Sequence, residues 1–143
     1  MDITASNSSF SLSVPSVFGV GQTLQGYATD DAFTQQEVEM GQVMKGVDGI
    51  ASGAFVPFFF EQSITFQADS PSITNTMEPW WTAQVANNAL YVANAVIAIP
   101  SIGRKYEFIN GFLTRITPAP TAKKILQPMA YQIKWDKCLP SPL

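Results

Sequence analysis

The chain has 143 residues, 46% hydrophobic and only 13% charged, with a net charge of −3. It contains no histidine and a single cysteine, Cys138, which excludes imidazole catalysis, a disulfide framework and a zinc site. The acidic balance offers nucleic acid no basic stripe, and a charge content about half the ~25% usual for soluble domains points to surface given over to partners.

Residues 1–9 are Ser/Asn-rich and read as a flexible end of a single domain spanning 1–143. They lack the basic start and apolar centre of a signal peptide, and no apolar run reaches membrane-helix length, so a soluble protein made in a cytoplasm is expected. Phe10, Leu12 and Val14 alternate with serines as a short strand that Pro15 stops. A second strand covers about Thr23–Ala28, with turn chemistry at Thr29–Ala32. Alternation returns over Phe33–Met40 and sets Gln35, Glu37 and Glu39 on one face. The two strands read as a hairpin with a polar, acidic side.

Gly41–Pro57 carries four glycines and a Val47-Asp48-Gly49 turn signal, and it runs into the phenylalanine-rich Phe55–Phe60. It is longer than an ordinary hairpin loop and too apolar for disorder. Gln62–Gln67 is a strand with Ile64 and Phe66 on one face. Ser70 has N-cap chemistry, Pro71 suits the first helical position, and Ile73, Met77, Trp80, Trp81 and Val85 follow at helical spacing. Pro79 inside this run predicts a kink or break near Asn75–Met77, and Asn87-Asn88 end the helix. Leu90–Ile99, apolar on both faces, reads as a central strand covered on both sides. Lys105–Thr117 is strand-like, with Asn110-Gly111 as a tight turn or a bulge. After the Pro118–Pro120 loop, Ala130–Lys137 forms the clearest strand, turning Tyr131, Ile133 and Trp135 inward.

Charge is split along the chain. Residues 1–99 hold nine acids against Lys45 alone, a balance of −8, and residues 100–143 hold seven bases against Glu107 and Asp136, a balance of +5. The halves pair within one sheet, or an acidic face of one subunit meets a basic face of the next; both arrangements are compatible.

Catalytic signatures are absent: no G-x-S-x-G, P-loop, G-x-G-x-x-G or metal-ligand spacing occurs. Glu37 and Glu39, with Cβ atoms about 7 Å apart on one strand face, read as an exposed acidic surface rather than a glycosidase pair. Trp80 and Trp81 point about 100° apart on a helix, so one anchors the core and the other lies at an edge or contact. No enzyme and no cofactor are expected. Strand patterns with little charge to protect their edges suit edge-to-edge joining between copies. Four phenylalanines within six residues after a glycine-rich stretch suit an arm reaching a neighbour, or else they pack in the chain's own core. A ring lined by Gln35, Glu37 and Glu39 would repel phosphate at short range.

Gly46-Val47-Asp48-Gly49, the run Ile64–Ser72 entering a helix, Pro100–Tyr106, Asn110-Gly111 and Ala122–Pro128 together resemble tail tube proteins of tailed bacteriophages, most nearly the contractile-tailed type, over roughly residues 20–137. The resemblance implies a mainly β fold: two packed antiparallel sheets, a sandwich or near-barrel, with one flanking helix and a long inter-strand loop. It implies hexameric rings stacked into a tube inside a sheath, within the virion tail, conducting the genome through an acidic lumen. Carried onto this chain, Gln35, Glu37 and Glu39 become lumen-facing, and Met40, Met44, Val47, Asp48, Ile50, Phe55 and Phe58 belong to the intersubunit arm. The implied partners are sister copies, sheath, baseplate and terminator proteins, with tape measure protein and non-specifically held DNA in the bore, and no membrane. A tail terminator or baseplate ring protein is the near alternative. A monomeric β-barrel binding a ligand or glycan is the alternative from another class.

Overall fold

A computed structural model describes residues 8–24 and 33–143. The fold is mainly β, with two antiparallel sheets and one α-helix. The strands are β1 (Ser9–Val14), β2 (Phe18–Thr23), β3 (Phe33–Gln35), β4 (Gly41–Lys45), β5 (Ala51–Phe55), β6 (Phe60–Phe66), β7 (Ala93–Ile99), β8 (Arg104–Ile116) and β9 (Met129–Pro142), with α1 (Glu78–Asn87) between β6 and β7. Seven strands form one sheet in the order β2-β1-β7-β8-β9-β6-β3, and β4 and β5 form a hairpin of their own.

The large sheet is rolled. β1 and β3 stand five strand spacings apart, about 24 Å if the sheet were flat. Instead, the rings of Phe10 and Phe33 meet edge to face with centroids 5.6 Å apart. The inward residues of every strand therefore face a common interior, and the near-barrel arises from one sheet curling on itself. That interior holds Phe10, Leu12 and Val14 of β1, Ile64 and Phe66 of β6, and Tyr131, Ile133 and Trp135 of β9, as the period-2 alternation predicts.

The helical segment closes the core. Ser70 accepts the Ser72 N–H through its hydroxyl (3.2 Å), the expected capping role, with Pro71 as the first helical residue. The predicted break falls where expected, as a π-turn at Ile73–Met77 in which the Glu78 N–H donates to the Ile73 carbonyl. This wider turn lets the helix absorb Pro79, which has no N–H to give. Met77 and Trp80 are fully buried, and Trp81 is half-buried at the edge of the core. Asn88 ends α1 in the left-handed conformation (φ 50°).

Asn110-Gly111 is a bulge. Ala93 pairs with Gly111 and Ala95 with Phe108, so two residues of β8 oppose Asn94 alone. Asn110 takes the left-handed conformation (φ 54°), and its N–H donates to the Asn94 side chain (3.3 Å). Gly111 has a different cause: a Cβ there would overlap the ring carbons of Trp135. Trp135 in turn donates from Nε1 to buried Gln62 (2.9 Å).

Three expectations are corrected. The strand read over Phe33–Met40 ends at Gln35, so Glu37 and Glu39 share no strand face with it. Most of the Thr23–Ala28 strand, and with it the hairpin expected with Phe33–Met40, lies outside the described residues. β7 is an interior strand covered on one face only, with Asn94 and Val96 exposed. The long inter-strand loop is an ordered hairpin, in register from Gly41 opposite Phe55 to Lys45 opposite Ala51.

Candidate assembly interface

The β4–β5 hairpin forms an arm left exposed among the described residues. Every residue from Glu39 to Phe55 is exposed, including Met40, Val43, Met44, Val47, Ile50 and Phe55. The turn at its tip is locally determined: Asp48 accepts the Ile50 N–H through its carboxylate (3.1 Å), and Gly49 supplies a positive φ of 83°. An isolated two-stranded ribbon is marginal in water, and the exposed apolar side chains on this one form an unusually apolar surface patch.

The phenylalanines divide between arm and core. Phe60 packs against the core cluster, Phe58 stacks between Phe55 (5.8 Å) and Phe60 (5.1 Å), and Phe55 and Phe59 are exposed. The reading in which all four pack within their own chain fails, because Phe55 leaves 71% of its surface in water. Of the residues assigned to the arm, Met40, Met44, Val47, Asp48, Ile50 and Phe55 lie together on it, and Phe58 lies at its root.

The acidic residues sit between β3 and the arm. Gln35 ends the edge strand, opposite Gln62, and lines an apolar cavity with Phe33, Val38, Phe60 and Phe108. Glu37 and Glu39 are exposed on the extended segment that follows. The outward face of the rolled sheet is mostly small and polar, with Ser9, Ser11 and Ser13 of β1 backed by Asn94, Ser63, Thr65 and Gln132. Glu61 and Lys134 form an ion pair there at 3.4 Å, so an acid of the first half and a base of the second do meet across neighbouring strands. Lys45, Asp48, Asp69, Lys123 and Lys124 remain at the surface.

The far end of β9 is guarded against further pairing. The Leu143 N–H donates to the Gly103 carbonyl, so by alternation the amide positions of residues 141 and 139 turn toward β8, and those of Pro140 and Pro142 turn outward. β6 pairs with β9 only as far as Trp135, and the strand beyond presents prolines where donors would otherwise point to water. This edge is protected against further pairing. At β3 the Gln36 N–H donates back to Glu61 (3.0 Å), so the pairing of β3 with β6 continues one residue past the strand's end.

Two apolar sites escaped the sequence reading. Ile125 and Leu126 are exposed in the loop between β8 and β9, and Val85 and Leu90 are exposed around the end of α1. The available signal was two aliphatic residues between Lys123-Lys124 and Gln127-Pro128, a loop where nothing obliges apolar character.

These features define a class of protein: the fold is one shared with tube-type components of contractile injection systems. A chain of the sheath–tube complex of the extracellular contractile injection system PVC superposes with a TM-score of 0.65 at 9% identity, over 94% of this chain and 88% of that one. A chain of the PVC sheath/tube terminator gives 0.64 at 10% identity, over 92% of each. One from the baseplate of the anti-feeding prophage gives 0.61 at 7% identity, over 99% of this chain and 97% of that one. At such identities the likeness is one of fold. In sequence, the family described as tail fiber protein gp32 matches residues 1–139, and the chain belongs to that family. No curated protein sequence matches it.

Proposed function

We propose that this chain is the structural, non-catalytic subunit of a phage tail tube, built as hexameric rings that stack inside a sheath. The observation that carries the reading is the β4–β5 arm, an ordered hairpin whose apolar residues stand exposed in the single chain. Covering such a ribbon with sister copies stabilises both the arm and the assembly. The proline-protected end of β9 directs lateral joining within a ring away from itself. Glu37 and Glu39, exposed beside the β3 edge, then line the bore. Their charge acts within about 8 Å at physiological salt and keeps the phosphate backbone of DNA from adhering to the wall. Sheath, baseplate and terminator proteins are the outer and end partners, and tape measure protein and genome occupy the lumen. The virion tail is the site of action, after synthesis in the bacterial cytoplasm.

Two neighbouring readings have specific support. The terminator chain of PVC superposes nearly as well as the tube chain, which favours a single capping ring. The family description favours a slender fibre, although the chain has no internal repeat. Electron microscopy of the purified protein separates them. Hollow tubes of unlimited length support the tube, isolated rings the terminator, and solid filaments the fibre. Monomers at every concentration would overturn all three.

A further inference from the structure

Outside the arm, three apolar concavities stand out among the described residues. The one at the end of α1 is lined by Gln84, Val85, Asn88, Ala89 and Leu90 and carries no charge. The cavity beneath β3 is likewise uncharged, with Phe33, Ile97 and Phe108 in its walls. The third, a groove of about 630 Å³ between the turn after β6 and the loop before β9, differs from both. It combines exposed Ile125 and Leu126 with one acid, Asp69, and one base, Lys124.

We propose that this groove receives the arm tip of a second copy of the chain, an inference that rests on the tube reading. The tip has matching chemistry: Val47 and Ile50 are exposed apolar residues, flanked by one base, Lys45, and one acid, Asp48. Apolar tip meets apolar floor, Lys45 faces Asp69, and Asp48 faces Lys124. Each exposed pair adds little to affinity by itself. Together they fix which way round the hairpin enters, because a reversed arm would set like charges against each other. Both surfaces are exposed in the single chain, so a second copy can reach each of them. A tip and a groove at different places on one molecule make a head-to-tail contact, which leaves a free tip and a free groove after each addition. Within a ring such a contact closes on itself, whereas between rings it propagates, and it is the placement between rings that stacking without limit requires.

The test is crosslinking within assembled protein. In a Cys138→Ser background, Val47→Cys is combined with Ile125→Cys and treated with a short bismaleimide. A ladder of covalent multimers from assemblies, and none from dilute monomer, is the expected result. Intact tubes that yield no ladder overturn the groove while leaving the tube reading in place. Absence of any assembly by the unsubstituted chain overturns both. Charge exchange gives an independent readout. Lys45→Asp and Asp69→Lys should each raise the critical concentration for assembly by about tenfold or more, through like-charge opposition, and the two combined should restore it. Failure of the combined variant to recover, with its fold intact by circular dichroism, also overturns the assignment.

Discussion

Phe55→Ser separates the cost of losing an intersubunit contact from the cost of losing core. Phe55 exposes 71% of its surface in the single chain. Full burial of a phenylalanine stabilises by about 1.5–3 kcal/mol, so covering that fraction contributes about 1–2 kcal/mol per arm. Each added subunit seats one arm, and 1.4 kcal/mol is a tenfold change in an equilibrium constant, so the critical concentration should rise about 5- to 30-fold. The folded subunit loses only the ring contact with Phe58, whose centroid lies 5.8 Å away, worth about 0.5–1.5 kcal/mol. Light scattering over a dilution series reads the first quantity, and urea unfolding followed by tryptophan fluorescence reads the second. An unchanged critical concentration in a folded variant refutes the arm as an interface. A loss of about 3 kcal/mol or more in folding stability refutes it differently, since only deletion of a core aromatic costs that much.

Further predictions test the core and the bore. Gly111→Ala drives a methyl group against the Trp135 ring carbons and disturbs the Trp135 bond to Gln62, and should cost about 2–5 kcal/mol by urea unfolding. Gly53→Ala, whose Cβ meets Val43 at 3.4 Å, is the near-neutral control. Burial, with a smaller push from the Glu78 charge, raises the Tyr131 hydroxyl to about 12. The unfolded chain therefore loses this proton first, near pH 10. Stability from this group is complete below pH 10 and declines as pH rises toward 12, and Tyr131→Phe should flatten the decline in urea midpoints measured across that window. Glu37→Lys combined with Glu39→Lys should leave tube assembly intact but hinder genome passage. Normal infectivity of a phage carrying both changes would contradict their place in the bore.

Much of the fold was legible where the pattern had one physical cause. Phe10-Leu12-Val14, Ile64-Phe66 and Tyr131-Ile133-Trp135 each alternate against polar residues, and each faces the interior. Ser70, Pro71 and Asn88 bound the helical segment because capping and proline chemistry are local, and Pro79 marked the break for the same reason. The strand read over Phe33–Met40 failed because its alternation is almost wholly polar: period 2 without an apolar face gives a strand nothing to bury. β7 was misread because Ala93 and Ala95 inside and Ala98 outside look alike in sequence, so small size hid which face is covered. β9 continues through Pro140 and Pro142, residues that read as a stop, because their missing N–H groups fall on the unpaired side. The arm was legible as an oddity of composition, but its pairing was not, since Gly41, Gly46, Gly49 and Gly53 carry no side-chain pattern. The groove at Asp69 and Lys124 joins segments more than fifty residues apart and has no local signature at all.

Amide hydrogen exchange over residues 41–55, compared between dilute subunit and assembled protein, bears most directly on the claim that sister copies cover the arm. A two-stranded ribbon standing alone opens readily, so its amides should exchange fast in the subunit and become strongly protected on assembly, while β9 stays protected in both. Protection of 41–55 already complete in the dilute subunit, or exchange equally fast in the assembly, would contradict the account.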